Sequence, residues 1–423
     1  MRGYSSAPAE GFSSTKCIYP KGFSGYSSIA ARFNFRIGGQ DTAPQSLTTH
    51  TPDRCNSYKK QYMKAVTKIL LVGIFCSQFQ FLHSQHISMI EGGNHHTNVY
   101  QTKALKEQPK LKWKFETGCA VWGPGLIDNG IIYFGDEEGT LHAVEISNGK
   151  EMWHYSTEDK IMSCPTIVDT LAYLGSMDGY MSCIDIRNGV LVWSYKTGSG
   201  ASCLPPAFKN NMIFFGSHDK NFYVLDSKTG EVEKEINVGH GICCSPIVDD
   251  SCIYFTDWGG NLHALRLDDY TENWKFKTEN PIEKTPTLDG ERIYLPGGDK
   301  YIYCLNKDTG ELLWEKYMNA LVTHIGLTDS LLFFNTTDGY LYAMNKNTGT
   351  IRWEFKTEGK TYSRAILADN VIYFGSGDGN LYAMDLFSGR QIWKFETGSA
   401  VHRLAIDNGI IFFGSGNFMY AIE

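Results

Sequence analysis

The chain has no run of 18 apolar residues, which excludes a polytopic helical membrane protein. Proline is scarce, with 13 residues among 423, and charged residues make up only 20%. That composition excludes collagen, coiled coil and bulk disorder. No phosphate-binding G-x-x-x-x-G-K-[ST] loop occurs, and no G-x-S-x-G or H-E-x-x-H motif. No C-x-x-C pair is present, which argues against a structural zinc site. Positive charge is missing where it would count for nucleic acid. The net charge is −7, but residues 1–62 carry +5 and residues 63–84 carry +2, leaving −14 on residues 85–423. An acidic body of that kind repels a phosphate backbone.

Glycine and aromatic side chains are abundant: 43 Gly, 24 Tyr, 24 Phe and 9 Trp. Together they favour many short strands joined by glycine turns. The first 84 residues stand apart from this pattern. Residues 1–62 are rich in Ser, Gly, Pro and Thr without a hydrophobic period, and are expected to be a disordered extension upstream of the true start. From Met63 the text becomes MKAVTKILLVGIFCSQFQFLHSQ. Two lysines precede an apolar run, and Leu82 and Ser84 suit a cleavage site, so 63–84 is expected to be a secretory signal peptide. Cys76 would be a lipid attachment site, but the bulky Phe75 before it favours soluble export to a periplasm or cell envelope, with at most peripheral membrane association. Residues 85–110 are expected to be a linker, with His95 and His96 as polar tail residues.

The body repeats. Tryptophans stand at 113, 153, 193, 274, 314, 353 and 393, in steps of 40, 40, 81, 40, 39 and 40. The double step hides one missing Trp, with Lys234 in its place. Each unit holds a WxF strand and a segment often containing Pro, such as CPTIVD. A strongly apolar strand such as IIYFG follows, then a tight turn, and then an alternating strand such as LYAMD. Asp-Gly and Asn-Gly supply the positive φ of hairpin turns. Four short antiparallel strands every forty residues make a propeller blade. The fold expected for 111–423 is therefore all-β, an eight-bladed propeller. The chain begins on a Trp-type strand (Leu111–Glu116) and ends on an LYA-type strand (Phe418–Ile422), so these two should pair and close the ring. A closed ring needs no partner to cover its edges, and a monomer is expected.

The unit GxxxW followed by YFGSxDGxLYAxDxxTG, best kept in 371–393 (VIYFGSGDGNLYAMDLFSGRQIW), resembles the quinoprotein-like propeller family. The resemblance covers 111–423. It implies two kinds of relative: quinone-dependent alcohol dehydrogenases, and non-enzymatic outer-membrane assembly factors of the BamB type. The dehydrogenases hold pyrroloquinoline quinone (PQQ) with Ca2+ over the propeller axis, often under a disulfide between adjacent cysteines. The matching pair here is Cys243-Cys244.

Two sets of candidate residues follow. Ten residues after each Trp-type position stand Gly123, Ser163, Cys203, Cys244, Lys284, His324, Ser363 and Arg403, on strands expected to line the central channel. Their neighbours include Trp122, Cys164, Cys243, Arg364 and His402. Only one residue of each neighbouring pair can face inward. One half of the ring is small and thiol-rich, and the other is basic and suited to an anion. Cys243, Cys244, Lys284 and Arg403 are the cofactor contacts if the protein is a small PQQ-dependent oxidoreductase acting on alcohols or sugars. Uniform repeats leave no room for long ligand-bearing loops, and the inner strands offer Glu283 as their one carboxylate. The leading expectation is thus a scaffold with no catalytic residues, cofactor or metal site. It would bind a protein or peptide partner, possessing in Trp258 and Trp122 two tryptophans outside the repeat position.

Overall fold

The computed structural model describes residues 86–89, 95–123, 125–201 and 204–423. The expected extension (1–62) and signal peptide (63–84) lie outside the described residues.

Eight antiparallel sheets form an eight-bladed β-propeller. In the first blade Leu126–Asp128, Ile131–Gly135, Thr140–Glu145 and Glu151–Ser156 run from the axis outward. The short Pro-flanked strand is innermost and the Trp-bearing strand outermost. The two middle strands are apolar on both faces because each face packs against a neighbouring blade. Between the first and second blades, Tyr133 and Leu141 meet Ile167, Ala172 and Leu174. Between the third and fourth, Phe222 stacks on Phe255 at 4.2 Å. Each such buried aromatic contributes about 1.5–3 kcal/mol. The hairpin between the middle strands closes on glycine, as at Gly139, whose φ of 85° suits no branched side chain.

Ring closure follows the sequence expectation. Leu111–Glu116 pairs antiparallel with Phe418–Ile422, in register Phe115 to Met419. The eighth blade is therefore built from both ends of the chain.

The outer-strand tryptophans clamp neighbouring blades. The Trp153 ring covers Gly189 of the second blade, and its Nε1 donates to the Ile186 carbonyl at 2.8 Å. The same contact recurs at Trp113, Trp193, Trp274 and Trp353.

Of residues 85–110, expected as a linker, 86–89 and 95–110 are instead laid against the ring. Ile87–Ser88 adds a fifth strand to the second blade, and Val99–Tyr100 adds a parallel fifth strand to the seventh. Between them, the His95 carbonyl accepts from Leu288 N and Asn98 Nδ2 donates to the Ile325 carbonyl. His96 is buried rather than a tail residue; its Nε2 faces the Pro246 carbonyl at 3.4 Å. Burial outweighs that hydrogen bond and lowers the His96 pKa to about 4, so the imidazole is neutral. The segment also ends the Trp clamp series. Trp393 of the seventh blade turns to this segment, its Nε1 donating to the Leu105 carbonyl. No local pattern signals this segment, because its strand pairings are two residues long.

Candidate functional site

Antiparallel connectivity sorts the loops onto two faces. The hairpins 136–139, 176–179 and their equivalents share one face with the crossovers that lead into each inner strand; this is termed the upper face. The inner strands surround the axis, and the N-terminal segment lies across their lower ends.

On the upper face the channel opens as a cup of about 630 Å³. Its wall includes Met162, Leu204 and Leu321, and its rim carries Trp122 and Tyr362, 40% and 61% exposed. The Trp122 ring is tilted against His402, with ring centroids 4.3 Å apart. Cys243, Lys284, His324 and Arg403 also line the cup, so residues from separate blades converge there; Gly123, Ser163, Cys244 and Ser363, at the same offset from the Trp position as Lys284, are not among its lining residues.

The electrostatics locate Arg403 near the axis. Its charge is felt by Cys164, Lys284, His324 and Arg364, which precede or begin four different blades. Burial first, and Arg403 second, push the Lys284 pKa down. The same two causes, with Lys284 and His96 adding to them, push His324 well below the usual histidine range. Neither ring nitrogen of His324 has a hydrogen-bond partner among the described residues, although its side chain is only 5% exposed. Arg364 is buried beneath the lining, 2% exposed, and burial together with Arg403 lowers its pKa.

The adjacent cysteines part. Cys243 lines the cup. Cys244 belongs to the core between the third and fourth blades, where its Sγ accepts from Thr256 N at 3.1 Å. Burial pushes its thiol up to about 12. The two form no disulfide with each other; both precede the inner strand Ile247–Val248, and their side chains part. Cys203 lies outside the described residues. Cys183, Cys252 and Cys304 are small core residues.

Trp258 is away from the cup. It is 38% exposed and tilts over His218 at 4.7 Å, with Gly241 beneath its ring. It thus combines a packing role with an exposed face. The turn aspartates hold hairpins: Asp378 accepts from Asn380 N and from the Tyr382 hydroxyl. Sequence reasoning missed Leu321, Met162 and Tyr362. Their crossovers differ from blade to blade, so no repeat position marked them.

A ring of eight blades, seven of them marked by the outer-strand Trp, closed by the pairing of its first and last propeller strands and open to a central cup, defines a quinoprotein-type propeller. The chain belongs to the family described as outer membrane protein assembly factor BamB, whose model matches residues 103–241 and 233–415. Among solved structures, BamB from Moraxella catarrhalis superposes with a TM-score of 0.65 at 18% identity, covering 75% of this chain and 100% of that one. Quinohemoprotein alcohol dehydrogenase from Comamonas testosteroni gives 0.68 at 12% identity, covering 78% and 79%. A europium-containing methanol dehydrogenase gives 0.68 at 11%, covering 79% and 97%. At these identities the structural likeness shows the fold alone. No curated protein matches the chain.

The cup's donor set is a poor fit to the quinone–Ca2+ pair of the dehydrogenases. Ca2+ takes about six to eight oxygens, several from carboxylates. Glu283 is the one carboxylate among the lining residues, and it stands beside Lys284. No group of three or more His, Cys, Asp or Glu is placed to hold a metal among the described residues.

Proposed function

We propose that the protein is an exported, monomeric, non-enzymatic scaffold that docks a protein or peptide partner on its upper face. One observation carries this reading: the two ends of the channel differ. The upper mouth presents exposed aromatic and apolar side chains, Trp122, Leu321 and Tyr362, while the lower end is occupied by the chain's own residues 95–105. Large aromatic side chains around a concave centre are the anchors that dominate binding energy at interfaces. Family membership supports a role in envelope or outer-membrane protein assembly. Export rests on the 63–84 segment.

Photo-crosslinking in envelope extracts tests the reading. A photoreactive residue at Tyr362 or Trp258 should give a discrete adduct. The same residue at Phe387, exposed in a turn on the lower face, should give none. Equal labelling at all three positions, or none at any, would remove the docking face. Lys284 and Arg403 in the lining favour a second reading, a PQQ-dependent oxidoreductase. Calorimetric titration of PQQ with and without Ca2+ decides that one, since it requires saturable, Ca2+-dependent binding.

A further inference from the structure

The cup holds a charge arrangement that neither the ring nor the rim requires. Lys284 and Arg403 enter from the fifth and eighth blades, and Arg403, after burial, weakens the charged form of Lys284. Glu283 is exposed, and among the described residues Lys284 forms no salt bridge. His324 lines the same cup, held neutral, with both ring nitrogens unpartnered among the described residues. A neutral imidazole keeps one N–H donor and one acceptor. A buried polar ring without a partner is rare and marks a place where something else binds. Above this polar floor the walls are apolar: Met162, Leu204 and Leu321, with Trp122 and Tyr362 at the mouth.

We propose that the cup is a binding site for a carboxylate carried on an apolar body. The carboxylate sits against Lys284 and Arg403 and accepts the His324 N–H. The apolar body lies along Leu321 and Trp122 toward the mouth. Two unit positive charges brought together in a low-dielectric cup attract one another's counter-ion more strongly than either would on the surface. The cavity volume, about 630 Å³, is that of a small-molecule site. The same chemistry has two sources, a free organic acid or the C-terminal residue of a polypeptide chain. This inference goes beyond partner docking and holds whether or not the rim receives a protein.

The experiment is calorimetric titration of the purified chain with matched probes. 3-Phenylpropionate is compared with 3-phenylpropanol, and the peptide Ala-Ala-Leu with its C-terminal amide. At least one acid should bind, its neutral counterpart should bind ten-fold or more weaker, and added salt should weaken the acid alone. Binding by 3-phenylpropionate alone identifies a free acid as the source, and binding by the peptide alone identifies a chain end. Lys284→Gln and His324→Phe should each weaken the acid at least five-fold while circular dichroism stays unchanged. Equal affinity for acid and neutral probe would overturn the proposal, as would no binding of either acid at millimolar concentration. The wild-type comparison of acid with neutral probe stands even where a variant fails to fold.

Discussion

The junction between the third and fourth blades differs from the others, and the difference shows what the repeat is for. At a regular junction a Trp ring lies directly on a glycine of the next blade. A Cβ on Gly310 would stand 2.6 Å from the Trp274 ring, so glycine is the residue that fits. Gly149, Gly189, Gly230 and Gly389 meet the same constraint. At the exceptional junction both partners change together. Lys234 replaces the Trp, and Tyr270 stands where the glycine would be. Tyr270 adopts φ of 62° and packs against the core between the two blades, alongside Met212 and Ile236. The Lys234 ammonium is exposed, close enough to Asp269 to help lower its pKa, after hydrogen bonds from Thr271 and despite slight desolvation. The ring thus conserves a filled volume between blades rather than a residue type, as close-packed interiors require.

The largest effect should come from removing one of the outer-strand Trp rings. Trp393→Ala removes a buried ring and its hydrogen bond to Leu105, and should cost about 3–5 kcal/mol in urea unfolding. Faster amide exchange at residues 95–105 should accompany it. Lys234→Ala, at the equivalent position of the exceptional junction, should stay within about 0.5 kcal/mol. Comparable losses in the two variants would dissolve the comparison.

A middle-sized effect should come from converting one junction into the other. Lys234→Trp alone forces an indole against Tyr270, and Tyr270→Gly alone leaves a void. Both single variants should be less stable than the parent, and the double variant should recover. The coupling should be about 0.5–3 kcal/mol in a double-mutant cycle. Additive losses would show that Tyr270 does not fill the space of the missing ring.

The smallest effect concerns a second paired exchange, in the hairpin turns. Three blades tie a Tyr hydroxyl to the third residue of the turn: Tyr223 to Asp219, Tyr303 to Asp299 and Tyr382 to Asp378, each at 2.8 Å. The first and fourth blades use His with Asp at the first turn position instead, His142 with Asp136 and His263 with Asp257, each at 3.0 Å. Burial opposes charge on His142, but hydrogen bonds to Asp136 and Glu151 outweigh it and raise the pKa. Burial likewise opposes charge on Asp136, and bonds from His142 and Thr140 N outweigh it and lower the pKa. A raised histidine contributes stability in full below its unfolded value of about 6.5, and loses it as pH rises through the higher folded value. A lowered aspartate contributes in full above its unfolded value of about 3.9, and loses it as pH falls through the lower folded one. The pair is therefore strongest between those two values. Converting the turn to the Tyr type with Asp136→Ser, Glu138→Asp and His142→Tyr should flatten the pH dependence of the urea midpoint above neutrality. The change should be within about 1 kcal/mol. An unchanged slope would place no stabilising charge on His142.

Much of the ring was legible because one unit is repeated. Seven tryptophans fixed the period, the turn residues fixed the hairpins, and the strand types at the two ends fixed the closure. Part of the cup was legible for the same reason: one offset from the Trp position reaches Lys284, His324 and Arg403, which share the lining. The adjacent cysteines show where that logic stops. Alternation predicts that each neighbouring pair parts, yet Glu283 with Lys284 and His402 with Arg403 line the cup together, while Cys243 and Cys244 part because Cys244 packs between blades. Residues 95–105 show the other limit. Their pairings are short and their partners lie 150 or more residues away, so no local period betrays them.

The sequence by itself determined the blade number, the order of strands within each blade and the pairing of the two chain ends, because these rest on local periodicity and turn chemistry. Only the tertiary structure decided that the two ends of the channel differ, and that Lys284, His324 and Arg403 form one polar floor. Those features arise where blades far apart in the chain converge on an axis, and convergence depends on the summed twist and packing of the whole ring rather than on any single repeat.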